Sequence, residues 1–349
     1  MRFLRTSAWI RVDPENRTGR VPVLLRPRDD MPQAFLENTC LPYLLGAQNE
    51  DGGWGFRAHS ASRAEPTAWA LIALAESTSA STPAHADAST RALQFLHATQ
   101  LPDGSWPCSP GLPEGSWVTS LACLALLGRD QSSENGKRGL DRLCQEMPGE
   151  TGTLRRIMRS FATKKKDGTQ DESYFGWSWT AGTSSWVEPT SYAMILLHAL
   201  PQAMLPAAAA NRMQMGEAML YNRMCPGGGW NCGNPMVYGV PGEPQITSTV
   251  WGLLALKPHP ERTEVQQSLQ WLQGKVDAIQ SPVSLALSII AMSAYGKPSE
   301  ELAQTLQSMH EKNEILWNVP EVSWSALALS GTAQNWLKTK SGGSARGSS

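Results

Sequence analysis

The apolar and polar positions of this chain alternate between two kinds of helical segment. One kind is apolar on every side and rich in Ala and Leu: Thr67 to Ala75, Thr119 to Leu127, Thr190 to Leu200, Thr249 to Leu256, Val283 to Met292 and Val322 to Ser330. The other places apolar residues three and four apart, along one stripe: Phe35 to Gly46, Ala92 to Thr99, Leu140 to Phe161 (broken by Pro148-Gly149), Met213 to Met224, Val265 to Leu272 and Leu302 to Met309. A helix apolar all round must be buried, whereas a striped helix can keep one side in water. Six alternations therefore predict an all-α (α/α)6 barrel, a toroid with six apolar helices in an inner ring and six striped helices outside.

Four of the junctions between striped and apolar segments carry a Gly-rich turn with tryptophan: Asp51-Gly-Gly-Trp54, Asp103-Gly-Ser-Trp106, Phe175-Gly-Trp177 and Gly227-Gly-Gly-Trp230. They recur about every fifty residues, stretched once, as repeat architectures do. Glycine reverses the chain where a side chain would clash. The indole is expected to pack across the helix ends with its N–H on a partner. The last two apolar segments follow turns without this signature. Residues 34–338 are expected to form one barrel, with 1–33 an N-terminal extension and 339–349 a disordered Gly/Ser-rich tail. The polar run Lys164 to Glu172 reads as a solvated loop.

Composition narrows the partners. Thirty basic residues oppose thirty-one acidic ones, so no global field favours nucleic acid or an anionic membrane. Six cysteines without CxxC spacing read as reduced thiols in a cytoplasmic protein. The N-terminal Met1-Arg2-Phe3-Leu4-Arg5 is a poor secretory signal. No stretch approaches the roughly 20 apolar residues that span a bilayer, which leaves peripheral membrane contact as the most to expect. Fourteen tryptophans in 349 residues call for a core to fill or a pocket to line.

Leu44-Leu45-Gly46-Ala47-Gln48-Asn49-Glu50-Asp51-Gly52-Gly53-Trp54 and Phe95-Leu96-His97-Ala98-Thr99-Gln100-Leu101-Pro102-Asp103-Gly104-Ser105-Trp106 resemble the QW repeat of the squalene–hopene cyclase and prenyltransferase family. In that repeat a Gln ends the outer helix and a Gly-x-Trp turn follows. A third, variant copy ends in Gly228-Gly229-Trp230, with Cys225 near the usual Gln. The resemblance covers residues 34 to 332. It implies the toroid, a central cavity at the N-terminal ends of the inner helices, and an isoprenoid substrate. The chain departs from the family in its chemistry. The Asp-x-Asp-Asp motif of class II cyclases is absent, and the matching positions read Ala64-Glu65-Pro66-Thr67 and Val187-Glu188-Pro189-Thr190. None of the inner-helix starts has the Asp, Cys and His of a prenyltransferase zinc site, and no DDxxD motif for magnesium diphosphate is present. No metal and no cofactor is expected.

Glu65, Glu188 and Glu243 each precede an apolar helix with proline following. Helix initiation alone explains such a pattern, since proline suits the first turn and an acid there complements the dipole. Against that, Glu-Pro-Thr occurs twice at equivalent places in a ring, which aims Glu65 and Glu188 at one cavity as an acid/base site requires. Glu243 stands farther from its helix and is a binding candidate. A helix N-terminus is expected to lower a carboxyl pKa, which opposes a proton-donor role. Paired acids could share a proton, and an ionised Glu could steady a carbocation. Trp69, Trp117, Trp186, Tyr192, Trp251 and Trp324 lie near the same helix ends. Each fits either core packing or the lining of a pocket for an apolar polyene, where ring faces stabilise cations; Trp117 and Trp186 are the stronger candidates. His59, His198 and Cys232 read as structural.

The leading expectation is a terpene-cyclase-like enzyme of the isomerase/lyase kind, which turns over an isoprenoid by acid-initiated carbocation chemistry without the usual aspartate motif. The alternatives are a non-catalytic toroid that binds an isoprenoid or a protein, and an unrelated reaction on the same scaffold, such as glycoside hydrolysis by paired carboxylates.

Overall fold

The computed structural model describes residues 31–77, 82–152, 171, 173–237, 239–312 and 317–331. Residues 1–30 of the expected extension, the expected tail, and the polar run apart from Asp171 lie outside the described residues. The outer layer begins with α1 (Met31–Phe35), which passes through a π-turn at Leu36–Cys40 into α2 (Leu41–Gly46). Inner and outer helices then alternate: α3 (Ala64–Glu76), α4 (Pro83–Ala98), α5 (Val118–Arg129), α6 (Glu134–Gln145), α7 (Val187–Ala199), α8 (Ala209–Asn222), α9 (Ile246–Ala255), α10 (Thr263–Gln273), α11 (Pro282–Ala294), α12 (Glu300–Glu311) and α13 (Val319–Leu329). A two-stranded antiparallel ribbon, β1 (Met236–Val237) and β2 (Val240–Pro241), projects from the loop before α9.

The apolar helices form the inner ring, as their composition dictates. Each packs on the next in the order α3, α5, α7, α9, α11, α13, and α13 closes back on α3. The striped helices sit outside, each against an inner neighbour, with their apolar stripes turned inward. Two of the boundaries that differ from the expected ones have a local cause. The third outer helix starts earlier, at Glu134, and ends at Gln145; Pro148, at the expected break, is extended, a short 3-10 turn follows at Gly149–Thr151, and residues 153–161 of the expected segment lie outside the described residues. Proline lacks the N–H that the helix would need there. The second outer helix starts nine residues before the apolar stripe shows itself, at Pro83, because Thr82 caps it by accepting from the His85 N–H.

The Gly–Trp turns join the layers by one repeated set of bonds. All four indoles are buried. Their Nε1–H groups donate to carbonyls in the last turn of the preceding outer helix, Trp54 to Leu44 (2.7 Å), Trp106 to Leu96 (2.8 Å), Trp177 to Leu143 (2.9 Å) and Trp230 to Leu220 (2.7 Å). Such end carbonyls have no partner within their own helix. The backbone N–H of each tryptophan donates to the hydroxyl of a buried threonine in the following inner helix, Thr67, Thr119, Thr190 or Thr249, at 2.9 to 3.0 Å. In the two full copies, Gln48 and Gln100 donate both to the turn, at Gly52 and Gly104, and to the next outer helix, at Ala88 and Asn135. The variant copy at Trp230 lacks that Gln. At the Phe175-Gly-Trp177 turn, Arg212, reaching in from α8, donates to the carbonyl of Gly176 at 2.7 Å and lies 4.1 Å from the Trp177 ring.

Candidate functional site

The threonine that receives each turn tryptophan also sets a common register for the inner-helix starts. Two residues before it stand Glu65 on α3, Trp117 at the start of α5 and Glu188 on α7; two residues after it stand Trp69, Tyr192 and Trp251. Equivalent positions in a closed ring converge, and the rings do meet. Trp251 lies 4.8 Å from Tyr192, 5.5 Å from Trp69 and 6.3 Å from Trp324. Trp117 stacks on Tyr192 at 5.1 Å, and Trp69 touches Tyr192 and Trp324 edge-on. Five of the six aromatic candidates thus form one cluster among the inner-helix starts. The buried indole N–H of Trp324 has no hydrogen-bond partner.

Trp186 stays out of that cluster. It is the residue before α7, in extended conformation, and makes none of these ring contacts. Glu243 is exposed on the loop before α9, not gathered with the other carboxyls. Glu65 and Glu188 act on one group: the phenol of Tyr192 is held well above its ordinary value, first by burial and then by the charges of both carboxyls.

Their electrostatics reverse the helix-dipole expectation. Burial pushes the Glu65 carboxyl up to about 7 against the opposing pull of Arg63. Burial raises Glu188 too, while a 2.7 Å hydrogen bond donated by the Ser248 hydroxyl, together with its own backbone N–H, favours its charged form. At both carboxyls desolvation is the leading cause and outweighs the groups that favour the charged form. The site therefore offers two carboxyls that burial holds toward the protonated form, one of them also bonded by a hydroxyl that favours its charge, at the helix starts that carry the aromatic cluster. This is a set of groups able to donate a proton to an apolar molecule, accept one from it, and stabilise positive charge between.

Several neighbours escaped the sequence reading. Trp179 packs edge-on against Trp117 at 5.0 Å, and its carbonyl accepts from the Trp117 N–H; its signal was the second tryptophan of Phe175-Gly-Trp177-Ser-Trp179. Ser248 is fully buried, one residue before the register threonine of α9. Glu150, also buried, accepts from the Ser185 N–H at 2.6 Å and ties down the third turn. Glu321 on α13 is buried, and Asn318 donates to it at 2.8 Å.

A cavity of about 60 Å³ lies at the opposite, C-terminal end of the inner ring, among Leu71, Ile72, Leu124, Leu127, Leu196 and Leu200. It touches neither carboxyl. His198 lies toward that same end, and burial lowers it to about 4, which keeps it neutral. Cys232 flanks Glu188, whose charge together with burial raises the thiol. Among the described residues no group of three or more His, Cys, Asp or Glu is placed to hold a metal ion, and no helix is long and apolar enough to cross a membrane.

No protein-family model matches this chain, and no curated protein sequence matches it. Among solved structures, a variant of the type II terpene cyclase MstE from Scytonema, in complex with its product merosterolic acid A, matches 90% of this chain and 99% of its own, with a TM-score of 0.55 at 13% identity. An ent-copalyl diphosphate synthase from Streptomyces platensis matches over 78% of this chain and 50% of its own (TM-score 0.49, 16% identity). A Salmonella alpha-2-macroglobulin reacted with methylamine matches over 84% of this chain and 17% of its own (TM-score 0.46, 15% identity). The last two likenesses are too distant to argue from. The first shows the fold: along nearly their whole lengths, this chain and a type II terpene cyclase share the same ring of helices.

Proposed function

We propose that this protein is a terpene-cyclase-like enzyme which folds a linear isoprenoid against the aromatic cluster and cyclises it by acid-initiated carbocation chemistry, with glutamates in place of the aspartate motif. The observation that carries the reading is the placement of Glu65 and Glu188 at equivalent inner-helix starts, in a ring whose starts also carry the contacting side chains Trp69, Trp117, Tyr192, Trp251 and Trp324. Ring faces stabilise a cation without quenching it as a nucleophile would, and a carboxyl that keeps its proton near pH 7 is a ready donor. The fold likeness to a type II terpene cyclase is consistent with this chemistry and is a likeness of scaffold.

The test is incubation of the purified protein with linear isoprenoids, free and as diphosphates or epoxides, with products read by mass spectrometry. A cyclised isomer made by the wild type and lost in Glu65→Gln or Glu188→Gln is the expected result. No product from any member of the panel would refute it.

A second reading rests on a different observation: the rings lie in mutual contact, and Trp69 and Trp251 are fully buried. On that reading the cluster is core, and the toroid binds an isoprenoid or a protein without turnover. Tight retention of one unmodified isoprenoid, unaffected by either glutamine variant, would favour it.

A further inference from the structure

On the reading that this ring is a cyclase, we propose that its two carboxyls divide the work: Glu65 donates the proton that opens the cascade, and Glu188, held by Ser248, takes the proton that closes it. Ser248 is then a positioning residue. The division follows from one difference between two otherwise equivalent sites.

Glu65 and Glu188 occupy the same register on α3 and α7, each followed by Pro and Thr. What differs is the next helix around the ring. Beyond α7 comes α9, which presents Ser248 one residue before its register threonine; the hydroxyl, fully buried, donates to Glu188 Oε1 at 2.7 Å. Beyond α3 comes α5, and the residue one before its register threonine is Val118, which is equally buried and has no hydrogen to donate. Glu65 accordingly has no hydrogen-bond donor among the described residues, and its one charged influence is Arg63. A hydrogen bond to a carboxylate favours the charged form, and its absence under burial favours the neutral one. Titration directions agree: burial drives Glu65 to about 7, while the Ser248 bond opposes the rise at Glu188. The other titratable groups coupled to the pair are Tyr192, which feels the charge of both, and Cys232, which feels that of Glu188. Two carboxyls whose surroundings push their proton affinities apart are an acid and a base.

The step balances. The Glu65 O–H bond breaks and its proton forms a C–H bond with the electron pair of a terminal alkene, which leaves a carbocation and a Glu65 carboxylate. Successive alkene pairs close rings and carry the charge along the chain. The Glu188 carboxylate removes a proton from the carbon beside the final cation, and the C–H pair becomes the product alkene. Solvent returns the proton from Glu188 to Glu65 between turnovers, so the net reaction is an isomerisation.

The test has two arms. In the first, the protein is labelled with ¹³C at the glutamate carboxyl, both signals are assigned with Glu65→Gln and Glu188→Gln, and each is followed through pH in wild type, Ser248→Ala and Val118→Ser. Glu188 is expected to titrate below Glu65. Ser248→Ala should move Glu188 upward and leave Glu65 in place, while Val118→Ser should move Glu65 downward. An inverted order, or a Glu188 signal indifferent to Ser248→Ala, overturns the division whether or not a substrate is known. In the second arm, Glu65→Gln is expected to lose at least about 100-fold in substrate consumption, the scale of a positioned general acid. Glu188→Gln should still consume substrate but release a different alkene, or an alcohol from capture of the cation by water. Consumption lost in Glu188→Gln and kept in Glu65→Gln, or lost equally in both, overturns the division and leaves the cyclase reading standing. No consumption by wild type overturns the cyclase reading and the roles with it.

Discussion

Replacing Glu65 with glutamine is expected to stabilise the protein, and increasingly so as pH rises. Burial lifts this carboxyl from 4.5 to about 7. A raised pKa means that the folded state holds the proton through a range in which the unfolded chain has released it, so wild-type stability falls across that range. Below pH 4.5 both states are protonated and the glutamate costs nothing extra. Between 4.5 and 7 the cost grows, and above 7 it is complete, because the folded protein must then bury a charge that only Arg63 opposes. At about 1.4 kcal/mol per unit, the shift amounts to roughly 3 kcal/mol. Glutamine keeps the shape and never ionises. The assay is urea unfolding of wild type and Glu65→Gln at a series of pH values, read as the difference in unfolding free energy between the two. Other titrating groups are common to both proteins and cancel in that difference. It should be close to constant below pH 4.5 and grow by about 3 kcal/mol in favour of the variant by pH 8. A difference that stays flat with pH, or that turns toward the wild type, would refute the argument that desolvation dominates this site.

Other outcomes follow from the same structure. Thr67→Val and Thr249→Val each leave a buried tryptophan N–H without its acceptor and should cost about 1 to 3 kcal/mol in urea unfolding; a neutral result would show that the turns do not depend on this bond. Gly52 has φ +84° and its added Cβ would fall 2.5 Å from the Arg91 carbonyl, so Gly52→Ala should destabilise by at least about 1 to 2 kcal/mol, whereas Gly227→Ala, with open space around it, should be close to neutral in the same assay. In thiol labelling of the native protein near pH 8, exposed Cys108 should react fastest and Cys232 more slowly. Buried Cys40 and Cys144, whose thiols burial pushes up to about 12 and about 11, should react only on unfolding, and rapid labelling of either would contradict the ring packing.

The alternation of apolar and striped segments carries enough information to name the fold, because helix period and burial side are written in local spacing. The turn chemistry was local too: glycine at the reversal, tryptophan beside it, and glutamine at the end of the outer helix needed no knowledge of the far side of the ring. Helix boundaries were weaker where a polar first turn hid the stripe, as at Pro83, whereas the break at Pro148-Gly149 was legible from the proline itself. The candidate glutamates were visible as a repeated Glu-Pro-Thr, yet their ionisation stayed open between the helix dipole, which lowers a carboxyl, and a shared proton, which raises one. A sequence displays the helix dipole at once, whereas desolvation depends on which side chains from other helices exclude water. Ser248 lies 60 residues from the Glu188 it holds, and whether Trp117 or Trp186 reaches the aromatic cluster turns on the angle at which each enters its helix. Sequence alone therefore determined the ring, the repeat and the kinds of residue at its inner starts. Only the tertiary structure decided which of them meet and which carboxyl receives a hydrogen bond, because proton affinity in a buried site depends on neighbours brought together by packing.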